Sequence, residues 1–229
     1  MEVKNGGTRT KAGMPSDRAL ATQRRMIETG ERLFAEHGVP GVSLRAIAEQ
    51  SGHNNNNGVQ YHFGNKDGLI RAILECRSGP INDARAAMLA EVPADLPIEE
   101  AVHAVVRCMV LPVSHCLTER GVSYYLRFTA QLHQTPWDNL LTSTAESGRT
   151  RYSGSESTAL AAIDRIEKIL VDVDPTSRDL RLRFAGMLIL NALAAREEAE
   201  QHHRSSSVEL TRFLDELISS VAAIFLRGR

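Results

Sequence analysis

Apolar residues recur at helical spacing along almost the whole of this chain, and no segment shows the apolar–polar alternation of a strand. Glycines, prolines and serine-rich stretches divide this pattern into separate segments. The pattern therefore predicts an all-α protein. Its 229 residues are 42% hydrophobic and 24% charged, which is typical of a globular chain that can bury a sizeable core.

Charge divides the chain into a basic N-terminal third and an acidic remainder. Residues 1–77 carry 11 Lys and Arg against 8 Asp and Glu, whereas residues 78–229 carry 16 against 20. A basic end suits contact with a polyanion. We expect a flexible basic arm over 1–17, a first domain over 18–77 and a larger helical domain over 78–229.

The first domain contains the pattern of a helix-turn-helix. One helix is predicted to end at Gly38, and a short second helix to start at the N-cap Ser43 and end at Gly52. A third follows a run of four asparagines, starting near Asn56. A fourth helix opens at Lys66, and we expect Pro80 to kink or interrupt it.

Several residues of these helices form an ordered motif: Leu33-Phe34, Gly38, Ser43, Ile47-Ala48, Gly52, Tyr61-His62-Phe63 and Lys66. In order and spacing this motif resembles the DNA-binding domain of the tetracycline-repressor (TetR) family. The resemblance covers about residues 18–75, and Phe63 is expected to close the small core. One departure lies between Gly52 and Tyr61, where this chain has one extra residue, so family base contacts do not transfer through Asn54–Gly58.

The resemblance implies a regulator that binds operator DNA as a homodimer. It also implies that a small ligand, bound in the C-terminal domain, changes the spacing of the two DNA-reading heads and relieves repression. Two other functions remain open from the residues alone. One is an all-α enzyme or small-molecule carrier, and the other is a DNA-binding protein without sequence preference.

Phosphate contacts are expected from four residues. The Ser43 hydroxyl and the free N–H groups at its helix start suit a phosphate, and capping the helix is the simpler role for the same side chain. Tyr61 and Lys66 match the phosphate contacts of the family. Arg45, on the exposed side of the second helix, could reach a phosphate or a base.

Base contacts are expected from amide side chains. Asn and Gln can pair with the N6 and N7 atoms of adenine, so Asn55, Asn56 and Gln60 are candidate base readers. The alternative for the asparagines is a solvated polar loop.

An effector pocket is expected between residues 98–145 and the helix around 180–195. Its walls would be mainly apolar, with few polar atoms, and would suit a hydrophobic or aromatic ligand. Arg127 could hold an anionic group. The alternative is that the rings simply pack the core. The expected lining residues are Val106, Met109, Tyr124, Phe128, Gln131 and Trp137.

The last two helices, predicted over 177–203 and 206–226, are candidates for the dimer interface. Residues 180–195 are apolar nearly all round, and such a helix must be covered on every side. A four-helix bundle across a two-fold axis would provide that cover. The alternative is that both helices fill the core of a single protomer.

The sequence favours neither an enzyme nor a metal or cofactor site. No catalytic motif is present, and the spacing of His and Cys residues fits no compact zinc site. Paired carboxylates such as Glu197-Glu198 are expected on a solvated face. No uninterrupted apolar run of about 20 residues and no secretory signal is found, so we expect a cytoplasmic protein without a membrane partner.

Overall fold

The computed structural model is helical along nearly all of the chain that it describes, and no strand occurs in that part. The all-α prediction is therefore confirmed. The described residues are 17–52, 58–117, 123–132, 157–202 and 208–228.

Four helices form the N-terminal domain, and the fourth continues into the rest of the molecule. Helices α1 and α4 pack on each other, and α2 and α3 close the unit against them. Buried side chains from all four helices make its core, among them Phe34, Ile47, Val59 and Leu69. The four helices are α1 (Asp17–Gly41), α2 (Leu44–Gln50), α3 (Gly58–Phe63) and α4 (Lys66–Glu91).

Of two helix boundaries predicted in this domain, one was confirmed and one was wrong. The first helical segment ends at Gly38, as predicted, because the backbone there leaves helical geometry with a φ of 72°; a short helical segment then continues through Pro40 to Gly41. Helix α4 is not interrupted at Pro80 but runs through it to Glu91. Buried apolar residues on both sides of Pro80, Ile73 and Ile81, hold α4 against the core and stabilise the helix there.

Five further helices lie in the described C-terminal ranges, between residues 98 and 226. Helix α5 packs against α4, α7 and α9, while α6 packs against α1 and α8. A short 3-10 turn over His115–Leu117 follows α5. The helices are α5 (Ile98–Ser114), α6 (Tyr125–Leu132), α7 (Ser157–Ile169), α8 (Pro175–Gln201) and α9 (Leu210–Leu226).

Helix α5 and the 3-10 turn after it form a long apolar segment of the core. Together with the 3-10 turn, residues Ile98–Leu117 reach a mean hydropathy of 1.2 over a length that could cross a membrane, so the expectation that no such segment exists needs amending. In this fold Val102, Val105 and Val106 of α5 are fully buried. The apolar side chains of α5 therefore pack against three neighbouring helices in the core of the protein.

Helix α6 joins the N-terminal domain to α8 through two buried carboxylates. Glu31 of α1 accepts a hydrogen bond from the Tyr124 N–H at 3.1 Å and pairs with Arg77 of α4 at 3.4 Å. Glu197 of α8 accepts from the N–H groups of Leu126 and Arg127 at 3.2 and 3.0 Å. The start of α6, whose free N–H groups attract negative charge, is thus held from both sides.

The expectation that the Glu197 side chain lies on a solvated face was wrong. Its side chain is 3% exposed, whereas the neighbouring Glu198 is exposed. Burial raises the pKa of Glu197 to about 7, an effect that the two N–H donors and Arg127 partly offset. The donors that stabilise this buried carboxylate belong to α6, which the periodicity of α8 alone could not indicate.

Candidate nucleic-acid interface

Ser43 and the turn that follows α2 position the helix-turn-helix. The Ser43 hydroxyl caps α2 by accepting a hydrogen bond from the Ala46 N–H at 3.1 Å, as predicted. At the other end, Gly52 has a φ of 78° and so turns the chain away from α2. The Ser43 side chain is exposed and could also donate to a phosphate.

Helix α3 presents a polar face to solvent. Gly58 and Val59 are buried beneath it, while Gln60 and Tyr61 point outward. The Tyr61 side chain is 86% exposed, and the His62 ring meets it edge-on at 5.3 Å between ring centroids. An exposed tyrosine beside an exposed amide can offer hydrogen bonds to a phosphate and a base edge.

The predicted base contacts of the asparagine run stay predictions. Asn55 and Asn56, the other predicted base readers, lie outside the described residues. The described part of α3 begins at Gly58.

Lys66, a predicted phosphate contact, also connects two helices of the domain. Its Nζ donates a hydrogen bond to the Val39 carbonyl oxygen at 2.9 Å and so ties the start of α4 to the end of α1. An ammonium group has three N–H donors, so this bond leaves further donors for a phosphate. The side chain is half-buried.

Arg45 lies on the exposed side of α2, as expected. Its side chain is 72% exposed, and its Nε donates to Glu49 at 2.8 Å. The hydrogen bond to Glu49 and the charge of that residue raise the pKa of Arg45. An exposed ion pair of this kind contributes little to stability, so Arg45 can exchange Glu49 for a phosphate at small cost.

The turn between α3 and α4 depends on Asn65 and on Gly68, and the sequence analysis did not identify Gly68. Asn65 caps α4 by accepting from the Gly68 N–H at 2.8 Å. A Cβ atom on Gly68 would stand 1.9 Å from the Phe63 carbonyl oxygen, a distance that no side chain tolerates. Gly68 therefore allows the end of α3 to sit directly on the first turn of α4.

The sequence of this domain matches a known protein family. Residues 26–73 match the family described as bacterial regulatory proteins of the tetR family. The N-terminal domain belongs to the TetR family. The match spans α1 to the first part of α4 and includes the whole helix-turn-helix. No significant match to a curated protein was found for the chain as a whole.

Solved structures share the TetR-like fold over nearly the full chain. A protein assigned to the TetR family of transcription regulators, from Shewanella sp. PV-4, is 14% identical with a TM-score of 0.54; the alignment covers 89% of this chain and 95% of that one. The fatty acid degradation regulator FadR from Bacillus halodurans is 12% identical with a TM-score of 0.52, covering 94% and 98%. At these identities the likeness concerns the fold.

The residues predicted to line an effector pocket lie on both sides of the domain junction. Phe128 is fully buried and stacks on Phe34, while the Gln131 amide lies against Gly38, so this face of α6 meets α1. Tyr124 is half-buried beneath the Arg127 guanidinium, 5.0 Å from its ring centroid. On α5, Val106 is fully buried and Met109 half-buried. Trp137 lies outside the described residues.

Across the described ranges, no group of three His, Cys, Asp or Glu side chains could hold a metal ion.

Proposed function

We propose that this protein is a cytoplasmic, sequence-specific DNA-binding transcriptional regulator. The observation that carries the proposal is the helix-turn-helix of a TetR-family domain whose α3 exposes Gln60 and Tyr61 while its apolar side is buried. Helix α3 would enter the major groove, where Gln60 reads a base edge and Asn55 and Asn56 are further candidate base readers.

Phosphate contacts would orient the domain on the duplex. Ser43, Tyr61 and Lys66 lie at the starts of α2, within α3 and at the start of α4, so they can meet the backbone on both sides of the groove. Arg45 would add a fourth contact from α2. None of these four contacts selects a sequence by itself, except where Arg45 reaches a base.

The regulator would act as a homodimer through α8 and α9. Helix α8 buries one side against the protomer but leaves Phe184 and Met187 exposed at 47% and 41%. These residues lie one turn apart on one face, and large apolar side chains exposed in a row need a partner surface. A two-fold axis at this face would form the four-helix bundle.

A small hydrophobic or aromatic effector would release the repressor from DNA. The pocket would lie between α5 and α6, with Val106 and Met109 of α5 in its wall, because these two helices pack mainly on other partners; Phe128 and Gln131 face α1 instead. Helix α6 also contacts α1 through the Phe34–Phe128 stack. A ligand that moves α6 would therefore shift α1, provided that it binds the DNA-incompetent state more tightly.

The DNA contacts are tested by measuring the DNA-binding constant at several salt concentrations, on cognate and on random duplexes. Tyr61→Phe and Lys66→Ala should weaken both complexes roughly equally, and Lys66→Ala should lower the log–log salt slope by about one. Gln60→Ala should instead change the preferred base at a cost of ~1–3 kcal/mol. An unchanged slope with relaxed sequence preference for Lys66→Ala would overturn its assignment.

A further inference from the structure

The start of α6 is held between two buried carboxylates from different parts of the chain. On the α1 side, Glu31 accepts a hydrogen bond from the Tyr124 N–H at 3.1 Å. On the α8 side, the Glu197 carboxylate accepts from the Leu126 and Arg127 N–H groups at 3.2 and 3.0 Å. The first turn of α6 therefore links the DNA-binding domain to α8.

The counter-charge of Glu197 at this interface is incomplete. The Arg127 Nε lies 3.6 Å from the Glu197 Oε2, and at this separation the pair makes no hydrogen bond. This Nε is itself buried, and in the described part of the chain it has no hydrogen-bond partner. The Arg127 Nη2 donates instead to the Gln201 side chain, which in turn donates to the Ser123 carbonyl oxygen. The ion pair thus lacks the close contact that stabilises an ionised carboxylate away from water.

The other charged groups of the helices around Glu197 are paired with each other or exposed. On α8, Arg196 pairs with Glu200 at 2.7 Å. Across α6, Glu31 pairs with Arg77 of α4 at 3.4 Å. Arg127 is the one charged residue of α6, so it is the cation that this helix brings to Glu197. The exposed titratable residues at this end of α8 and on α9 are Glu198, His202, Arg212, Asp215 and Glu216.

The protonation of Glu197 depends on whether its carboxyl group stays buried against α6. In this closed arrangement burial raises its pKa to about 7, whereas a carboxyl group released into water has the ordinary value of 4.5. A bound proton therefore favours the closed arrangement, and the ratio of closed to open molecules falls as the pH rises from 4.5 to about 7. The buried Tyr125 phenol of α6 stays neutral in this range, because burial raises its pKa.

Release of α6 from α8 would reach the helix-turn-helix through α1. On one side of α1, Phe34 stacks on Phe128 of α6. On the other side, Arg32 of α1 donates to the Gln50 side chain at the end of α2, at 2.6 Å. Because α1 contacts both α6 and α2, loosening α6 weakens the support of the DNA-reading helices.

We propose that the start of α6 is a proton-sensitive latch: ionisation of Glu197 drives its carboxylate out of the buried position into water, frees α6 from α8 and lowers the affinity for DNA. This inference rests on the proposed function and adds a form of regulation that needs no effector. It gives Arg127 the role of counter-charge to Glu197, in place of the anion contact considered from the sequence.

Amide hydrogen exchange of the full chain, without DNA, tests the latch itself. The protection factors of the Leu126 and Arg127 amides should fall by about tenfold or more between pH 5.5 and pH 8 in wild type. Glu197→Gln has nearly the same shape and stays neutral, so its protection factors should change by less than about threefold. At pH 8 both wild-type amides should also be about tenfold less protected than the buried Val105 amide of α5, because the opening is local. Equal protection of all three amides would overturn the proposal.

The affinity for a cognate duplex at constant salt tests the effect of the latch on DNA binding. Histidines also titrate in this range, so the comparison is made between proteins at the same pH. At pH 8 Glu197→Gln should bind about fivefold or more tightly than wild type, and at pH 5.5 the two should agree within about twofold. Glu198→Gln, at the exposed neighbour, should follow wild type at both pH values. A carboxylate with only a structural role predicts the reverse, so weaker binding by Glu197→Gln at pH 8 would overturn the proposal.

A second variant decides the question if Glu197→Gln does not fold. Arg127→Gln removes the counter-charge, so the upper end of the pH transition in amide protection should move to higher pH by about half a unit or more. An unmoved transition would overturn the proposal.

The two measurements separate this proposal from the proposed function. Local opening that follows the pH, with no specific DNA binding by wild type, would support the latch and reject the regulator. Specific DNA binding without local opening of α6 would reject the latch alone.

Discussion

Phe34 of α1 and Phe128 of α6 stack with their ring centroids 5.9 Å apart and their planes inclined by 23°. Both side chains are fully buried. The stack joins the DNA-binding domain to a helix of the C-terminal part, alongside the Glu31–Tyr124 hydrogen bond. Any displacement of α6 must therefore move α1 or break this contact.

Truncating one ring of the stack should destabilise the whole chain. We expect Phe128→Ala to lower the free energy of unfolding by ~3–5 kcal/mol, because it leaves a cavity at the junction. Leu20→Ala, at a side chain 48% exposed, should change it by less than about 0.5 kcal/mol. Chemical denaturation measures both. A loss below about 1 kcal/mol for Phe128→Ala would mean that the junction contributes little.

Two glycines of α4 should respond differently to alanine. Gly68→Ala places a Cβ 1.9 Å from the Phe63 carbonyl oxygen, so α3 must shift. We expect a loss of ~1–3 kcal/mol in stability together with weaker DNA binding. Gly79→Ala meets nothing within 4 Å, but Gly79 precedes Pro80, whose ring disfavours a Cβ on a helical residue before it; this offsets the gain in helix propensity, and we expect a change below about 0.5 kcal/mol. Equal effects of the two substitutions would contradict the close approach of α3 and α4.

The helix-turn-helix could be predicted from sequence because its signals are local. Ser43 caps the helix that it precedes, and Gly52 turns the chain where the apolar pattern stops. The family match over 26–73 agrees with the resemblance drawn from the same motif. The effect of Pro80 was not predictable in this way, since burial of residues on both sides of it holds α4 together.

The burial of Glu197 and Arg85 could not be predicted from the sequence either, and the physical reason is a different one. Glu197 sits among charged neighbours that suggest a solvated surface, yet its partners are N–H groups of α6, about 70 residues earlier in the chain. Likewise Thr158, an acceptor for Arg85, is 73 positions away. Long-range contacts of this kind leave no periodic trace in the sequence.

Protonation of Glu197 should affect stability near neutral pH. With its pKa at about 7, above the ordinary value of 4.5, the folded state binds more protons than the unfolded chain between these limits. The contribution of the protonated Glu197 carboxyl to the free energy of unfolding is therefore complete below pH 4.5 and is lost as the pH rises through 7. We expect the difference in unfolding free energy between wild type and Glu197→Gln to fall by on the order of 2–3 kcal/mol from pH 5 to pH 8.

Urea denaturation at several pH values measures this difference. Glu198→Gln, at an exposed neighbour on the same helix, provides the control and should follow the wild type at every pH. Parallel curves for wild type and Glu197→Gln would show that the carboxyl titrates at its ordinary pKa.

The exposed face of α8 should hold two protomers together. We expect sedimentation to give a dimer at micromolar concentration, and Phe184→Glu to shift it to monomer by placing a charge in the apolar interface. Val171→Glu, at a side chain 68% exposed outside α8 and α9, should leave the dimer intact. A monomeric wild type that still binds specific DNA would exclude this interface.

Selection of bound duplexes from a random DNA library reports the sequence preference and the symmetry of the bound site together. We expect enrichment of a two-fold symmetric site whose half-sites lie ~34 Å, or a multiple of that distance, apart. We also expect Gln60→Ala to alter the preferred bases within each half-site. A library that binds without enrichment, or does not bind at all, would contradict sequence-specific regulation by this protein.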